Sequence, residues 1–223
     1  MTPVPSTPER AAWLALVPAL ATLAYYTLPA PLQQNLWITF GPQLLAYGSL
    51  ILWALLNPGW KTALRLDAHG VGPGLKWGAF VGAALGAVNL SLILLIIPTL
   101  GGDITFLRAT PHAHAPIWAM FPLGIAGTGV LVELNFRGFL IGRLLTLFGD
   151  SFYGKIGAVV VSALVFAYDP FMVRVFQHLH MIAIWDGLAW GILLLRTGSL
   201  YATMAAHTVE VWILYVCLKL WFA

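Results

Sequence analysis

Apolar residues in this chain run in blocks of about 20, separated by short polar breaks. The blocks fall at 11–28, 36–56, 75–100, 117–132, 154–172, 179–195 and 200–222. A helix needs roughly 20 apolar residues to cross a hydrocarbon core of about 30 Å. The pattern therefore predicts an all-α, polytopic transmembrane bundle of about seven spans. The two longest breaks, NPGWKTALRLDAHGVGPG and GGDITFLRATPHAHAP, are rich in Gly, Pro and charge and read as extramembrane loops. No second domain fits between the blocks, so residues 1–223 read as one membrane domain.

Small residues add a packing expectation. Gly78, Gly82 and Gly86 recur every four residues in the third block, forming a stripe where another helix backbone can approach closely. Gly187 and Gly191 repeat the logic in the sixth block, and Gly124 and Gly127 loosen the fourth. Pro42 and Pro170 should kink or end their helices. Trp37, Trp60, Trp77, Trp118 and Trp221 sit near block ends, where an indole can lie at headgroup level.

Composition agrees with a membrane solvent: 60% of residues are hydrophobic and 9% charged, against roughly 25% charged in soluble domains. The net charge of +3 rests on scattered Lys and Arg with no basic stripe, so no nucleic-acid partner is expected. Membrane lipid is the expected surrounding, with another membrane protein or a membrane-embedded peptide as the candidate partner. Arg10, Lys61, Arg65, Lys76, Arg137, Arg143, Lys155 and Arg196 fall on one side of a seven-span layout, and Arg108, Arg174 and Lys219 on the other. The positive-inside rule then predicts a cytoplasmic N-terminus and a non-cytoplasmic C-terminus in a bacterial-type inner membrane. The leader at 2–9 is polar and Pro-rich, and 11–28 is long for a signal sequence, so it reads as a first span. Cys217 is the single cysteine, which excludes an intrachain disulfide and a cysteine-based zinc site.

Ionisable residues inside spans are costly and need a partner, a cavity or a site. Glu133, Arg137, Asp169, Asp186, His207 and Glu210 are the ones to explain. Glu133 and Arg137 are four apart and meet on one helix face, and the plainest reading is an ion pair that lets the helix cross. His207 and Glu210, three apart, also share a face. Asp169 beside Pro170 is expected to cap a broken helix or face water, and Asp186 and Glu210 to seek Arg174 or Arg196. His178 and His180 point about 200° apart on a helix and make a poor chelating pair. His112 and His114 read as an exposed turn. No metal site and no cofactor are expected.

Three strings carry a resemblance: ELNFRGFL at 133–140, SALVFAYDP at 162–170 and RTGSLYATMAAHTVEV at 196–211. In order and spacing they resemble the signature regions of the CAAX-protease and bacteriocin-processing (CPBP, or Abi) membrane family, over about 64–223. The first two spans, 11–28 and 36–56, would then be peripheral. The resemblance implies an intramembrane endopeptidase with motifs E-E-x-x-x-R, F-x-x-x-H and H-x-x-x-N. In that family the first Glu and the second-motif His are thought to activate water, and the third-motif His and Asn to hold the oxyanion.

Carried over, Glu133, Arg137 and His207 are the candidate catalytic residues, and Phe166 is kept. Val132 stands where the first Glu belongs, Pro170 where the His belongs and Val211 where the Asn belongs. Loss of a general base costs about 10²- to 10⁴-fold and of an oxyanion donor roughly 10²- to 10³-fold. The sequence thus predicts a divergent member with incomplete catalytic motifs, a pseudoenzyme that keeps the fold and a polar cavity. The other function it allows is a non-catalytic subunit or scaffold of a membrane protein complex. His178 or His180 would be the substitute for the missing imidazole in an active enzyme.

Overall fold

The computed structural model describes residues 9–222, so all but Glu9 of the Pro-rich leader lies outside the described residues. It is helical throughout, with no strand among the described residues. The main helices are α1 (Ala12–Tyr26), α2 (Gly41–Leu56), α3 (Val71–Ser91), α4 (Ile117–Phe148), α5 (Phe152–Ala167), α6 (Ile182–Thr197) and α7 (Leu200–Trp221). Among the described residues four stretches are long and apolar enough to cross a membrane: Trp60–Thr99 around α3, α4, Pro170–Thr197 ending in α6, and α7. The other three helices are apolar but shorter. At 16 residues, α2 and α5 each rise about 24 Å, less than a full hydrocarbon core.

The glycine stripe is a packing seam. A Cβ added at Gly78 or Gly82 would fall on the carbonyl oxygen of Ala202 or Ala206, and one at Gly86 would press on Ile213. α7 thus lies backbone to backbone along α3. Gly187 brings α6 onto the Ala163 backbone of α5, and a Cβ at Gly191 would press on the Val159 side chain. Gly198, at φ 65°, closes α6 in the left-handed conformation that glycine adopts without a Cβ penalty. Ser199 then bonds the carbonyl of Gly70 at 2.9 Å. This is the local reason for the RTGSL string.

Two boundaries differ from the sequence reading. The fourth block was expected to end at Val132, but α4 continues to Phe148 and carries Glu133 and Arg137 inside the bundle. Its winding widens to π-type over Leu123–Val132 and Leu134–Ile141, a form that occurs at functional sites and that the glycines at 124 and 127 accommodate. The fifth block was expected to run to 172, but α5 stops at Ala167. Asp169 then caps a new short helix, Pro170–Phe176, accepting from the N–H groups of Phe171 (3.0 Å) and Met172 (3.4 Å). Pro170 suits this first turn because it has no N–H to lose. Pro42 likewise opens α2.

The second long break is not a free loop. Ile104 and Leu107 are buried against Ile93 and Leu179. Pro111–His114 forms one helical turn in which His114 is exposed; the His112 side chain is outside the described ones.

Candidate functional site

Glu133, Arg137 and His207 converge although 74 residues separate the first from the last. Arg137 donates to Glu133 Oε1 at 3.1 Å, and His207 Nδ1 lies 2.8 Å from the same oxygen. A carboxylate only accepts, so the imidazole proton is on Nδ1. Glu133 and Arg137 are 0% exposed. The Arg137 guanidinium lies over Phe166 (4.7 Å) and Trp190 (4.8 Å), and Trp190 stacks on the His207 ring with centroids 4.1 Å apart. Two π faces and a carboxylate therefore cage the cation.

Beside this triad is a cavity of about 670 Å³. Of the three residues only His207 reaches its wall. Val132 and Val211 line it, at the positions where the resemblance would put a base and an oxyanion donor. Glu133 and Arg137 lie behind the wall. The cavity also draws Gln43 and Tyr47 from α2, Asn135, Asp169, Asp186 and Glu210.

The expected partners of Asp186 and Glu210 need correction. Neither pairs with Arg174, which donates instead to the carbonyl of Gln34 at 3.1 Å. They meet at Asn89, whose Nδ2 donates to Asp186 Oδ1 (3.0 Å) and Glu210 Oε1 (2.6 Å). The sequence reading missed Asn89, a lone amide in an apolar run. That isolation was the available signal, since a polar group at membrane depth needs a partner. It also missed Gln43, which donates to Asp169 at 2.8 Å.

His178 and His180 sit in a tight turn at Gln177–Met181 and do not line the cavity. His178 packs on Phe106 and His180 on Tyr168. Neither is placed to replace the missing motif imidazole. Among the described residues no three His, Cys, Asp or Glu side chains are arranged to hold a metal ion.

Neither the curated proteins nor the solved structures gave a match. A family model did: that of the type II CAAX prenyl endopeptidase Rce1-like family matches residues 114–213. The matched segment contains Glu133, Arg137, Phe166 and His207, the residues on which the resemblance was read. Over residues 114–213 this helical membrane protein is similar to the CAAX prenyl endopeptidase Rce1-like family.

Proposed function

We propose that the chain is a proteolytically silent relative of the CAAX-type endopeptidases, in which the cavity serves as a binding chamber within the bilayer. One observation carries this reading: valine faces the cavity at 132 and 211, while the retained Glu133 is sealed behind the wall. A general base must come within hydrogen-bond reach of the water it activates. Glu133 Oε1 already accepts from Arg137 and His207, and Oε2 has no exposed surface. His207 alone supplies neither a placed base nor a set of oxyanion donors. In this role the protein acts beside another membrane protein, as a binding or scaffold subunit, with its N-terminus on the cytoplasmic side of a bacterial-type inner membrane.

The decisive assay is cleavage of membrane-embedded peptides, including prenylated ones, by the purified chain in proteoliposomes. No turnover is expected. Turnover abolished by Glu133→Ala or His207→Ala overturns the reading. Alkaline phosphatase joined to the C-terminus reports the orientation, with activity expected on the non-cytoplasmic side.

A further inference from the structure

The cluster of Asn89, Asp186 and Glu210 takes no part in the Glu133 triad, yet both acids line the cavity. Its orientation is set from outside. Trp185 Nε1 donates to Asn89 Oδ1 at 2.9 Å, so the amide NH₂ must face the acids, 3.0 Å from Asp186 Oδ1 and 2.6 Å from Glu210 Oε1. Both acids accept from the same nitrogen, Asn89 Nδ2, so their carboxyl groups are neighbours. Asn89 is 0% exposed, Asp186 5% and Glu210 2%. Glu210 Oε2 is itself buried and has no N–H or alcohol donor among the described residues.

Counting donors and acceptors shows what is lacking. The two carboxyl groups present four oxygens, and among the described residues the Asn89 amide donates to one oxygen of each. A primary ammonium brings three more donors and the positive charge that balances an ionised carboxylate. An alcohol brings one donor and no charge, and a carboxylate is repelled. The cations on the cavity wall are committed elsewhere. Lys219 is nine positions from Glu210, about 13.5 Å along α7, and its Nζ donates to the carbonyl of Ala115 at 2.6 Å and to Tyr215 at 3.1 Å. Arg108 lies over the Phe222 ring, and Arg137, behind the wall, is paired with Glu133. The remaining wall is largely apolar, including Ile93, Met120, Leu214 and Leu218. The volume of about 670 Å³ falls in the range of small-molecule sites.

We propose that Asp186, Glu210 and Asn89 form the polar end of a site for an amphipathic primary amine, whose hydrocarbon chain occupies the apolar part of the cavity. This rests on reading the cavity as a binding chamber. The test uses the full chain in phosphatidylcholine nanodiscs, titrated with dodecylamine, 1-dodecanol and dodecanoate. Binding is read from tryptophan fluorescence, with Trp185 and Trp190 beside the site. Dodecylamine is expected to bind about tenfold or more tighter than dodecanol. Glu210→Gln, and independently Asp186→Asn, should erase that preference and leave dodecanol binding unchanged. The comparison of the three probes on the wild-type chain needs no variant to fold. Equal affinity for amine and alcohol, tighter binding of dodecanoate, binding of none of the three, or an amine preference that survives both substitutions overturns the proposal. Peptide turnover in the proteoliposome assay overturns the silent reading and leaves an amine preference standing. Equal binding without turnover does the reverse.

Discussion

At the scale of single residues, Glu133 Oε1 is shared by two donors, and this sharing makes the triad a structural unit. Removing Arg137 leaves a carboxylate buried at 0% exposure with only the His207 N–H to answer it. Breaking a buried ion pair from one side costs about 3–5 kcal/mol. Arg137→Ala should therefore lower the unfolding temperature in detergent by more than any other single change in the triad. Glu133→Gln keeps the shape and an accepting oxygen, so its cost should be smaller. The double variant should cost less than the two singles added, because its neutral amide no longer faces a missing cation. Additive losses would mean that the two side chains do not depend on each other. Asp169 gives a second measurement: Asp169→Ala removes the cap on Phe171 and Met172, a loss of about 0.5–2 kcal/mol, and frees Gln43. The sequence made this cap legible because Asp-Pro is a helix-start signal. It did not reveal Gln43, which comes from a helix 126 residues away.

Among the elements, the seam between α3 and α7 was readable because a four-residue glycine spacing has one physical use within a membrane helix, close backbone approach. Its strength can be tested with a matched pair. Gly82→Ala places a methyl group on the Ala206 carbonyl, and overpacking of this kind costs about 1–3 kcal/mol. Gly48→Ala meets nothing within 4 Å and should be neutral or stabilising by up to about 1 kcal/mol. Thermal unfolding of the two variants should separate clearly, and equal effects would remove the seam from the account. The extent of α4 was not readable. Glu133 and Arg137 looked like the end of a span, since an isolated charge stops a hydrophobic run. In the fold they neutralise each other under Phe166 and Trp190, so the helix continues through them. That outcome depends on side chains from α5, α6 and α7, which no local pattern reveals. The partners of Asp186 were hidden for the same reason: the two acids are 24 positions apart, and their shared donor, Asn89, lies on α3.

For the whole molecule, the cavity wall extends beyond the segment that matches the family. Residues 114–213 supply His207, Asp186 and Glu210, but Gln43 and Tyr47 come from α2, ahead of that segment. Farther along the same helix, Trp53 donates to Glu9 at 2.8 Å, and Glu9 forms an ion pair with Arg143 of α4, whose side chain is 4% exposed. Arg143 also lies 4.0 Å from the centroid of the Trp53 ring. A chain beginning at residue 58 would lose Glu9, Trp53 and Gln43 together. Arg143 would lose both its carboxylate and the Trp53 ring beside it, and Asp169 would lose the amide that donates to it. A hydrogen bond to a charged group is worth about 1.5–3 kcal/mol, and the core contacts of Leu14, Ala15 and Trp53 would be lost as well. The shortened chain should therefore unfold well below the full-length protein in the same detergent. Gln43→Ala and Trp53→Phe in the full-length chain should each reproduce part of that drop. A shortened chain as stable as the whole would mean that the helices ahead of residue 58 only lean on the bundle. A large loss, matched in part by the two substitutions, would mean that α1 and α2 help hold the chamber in shape.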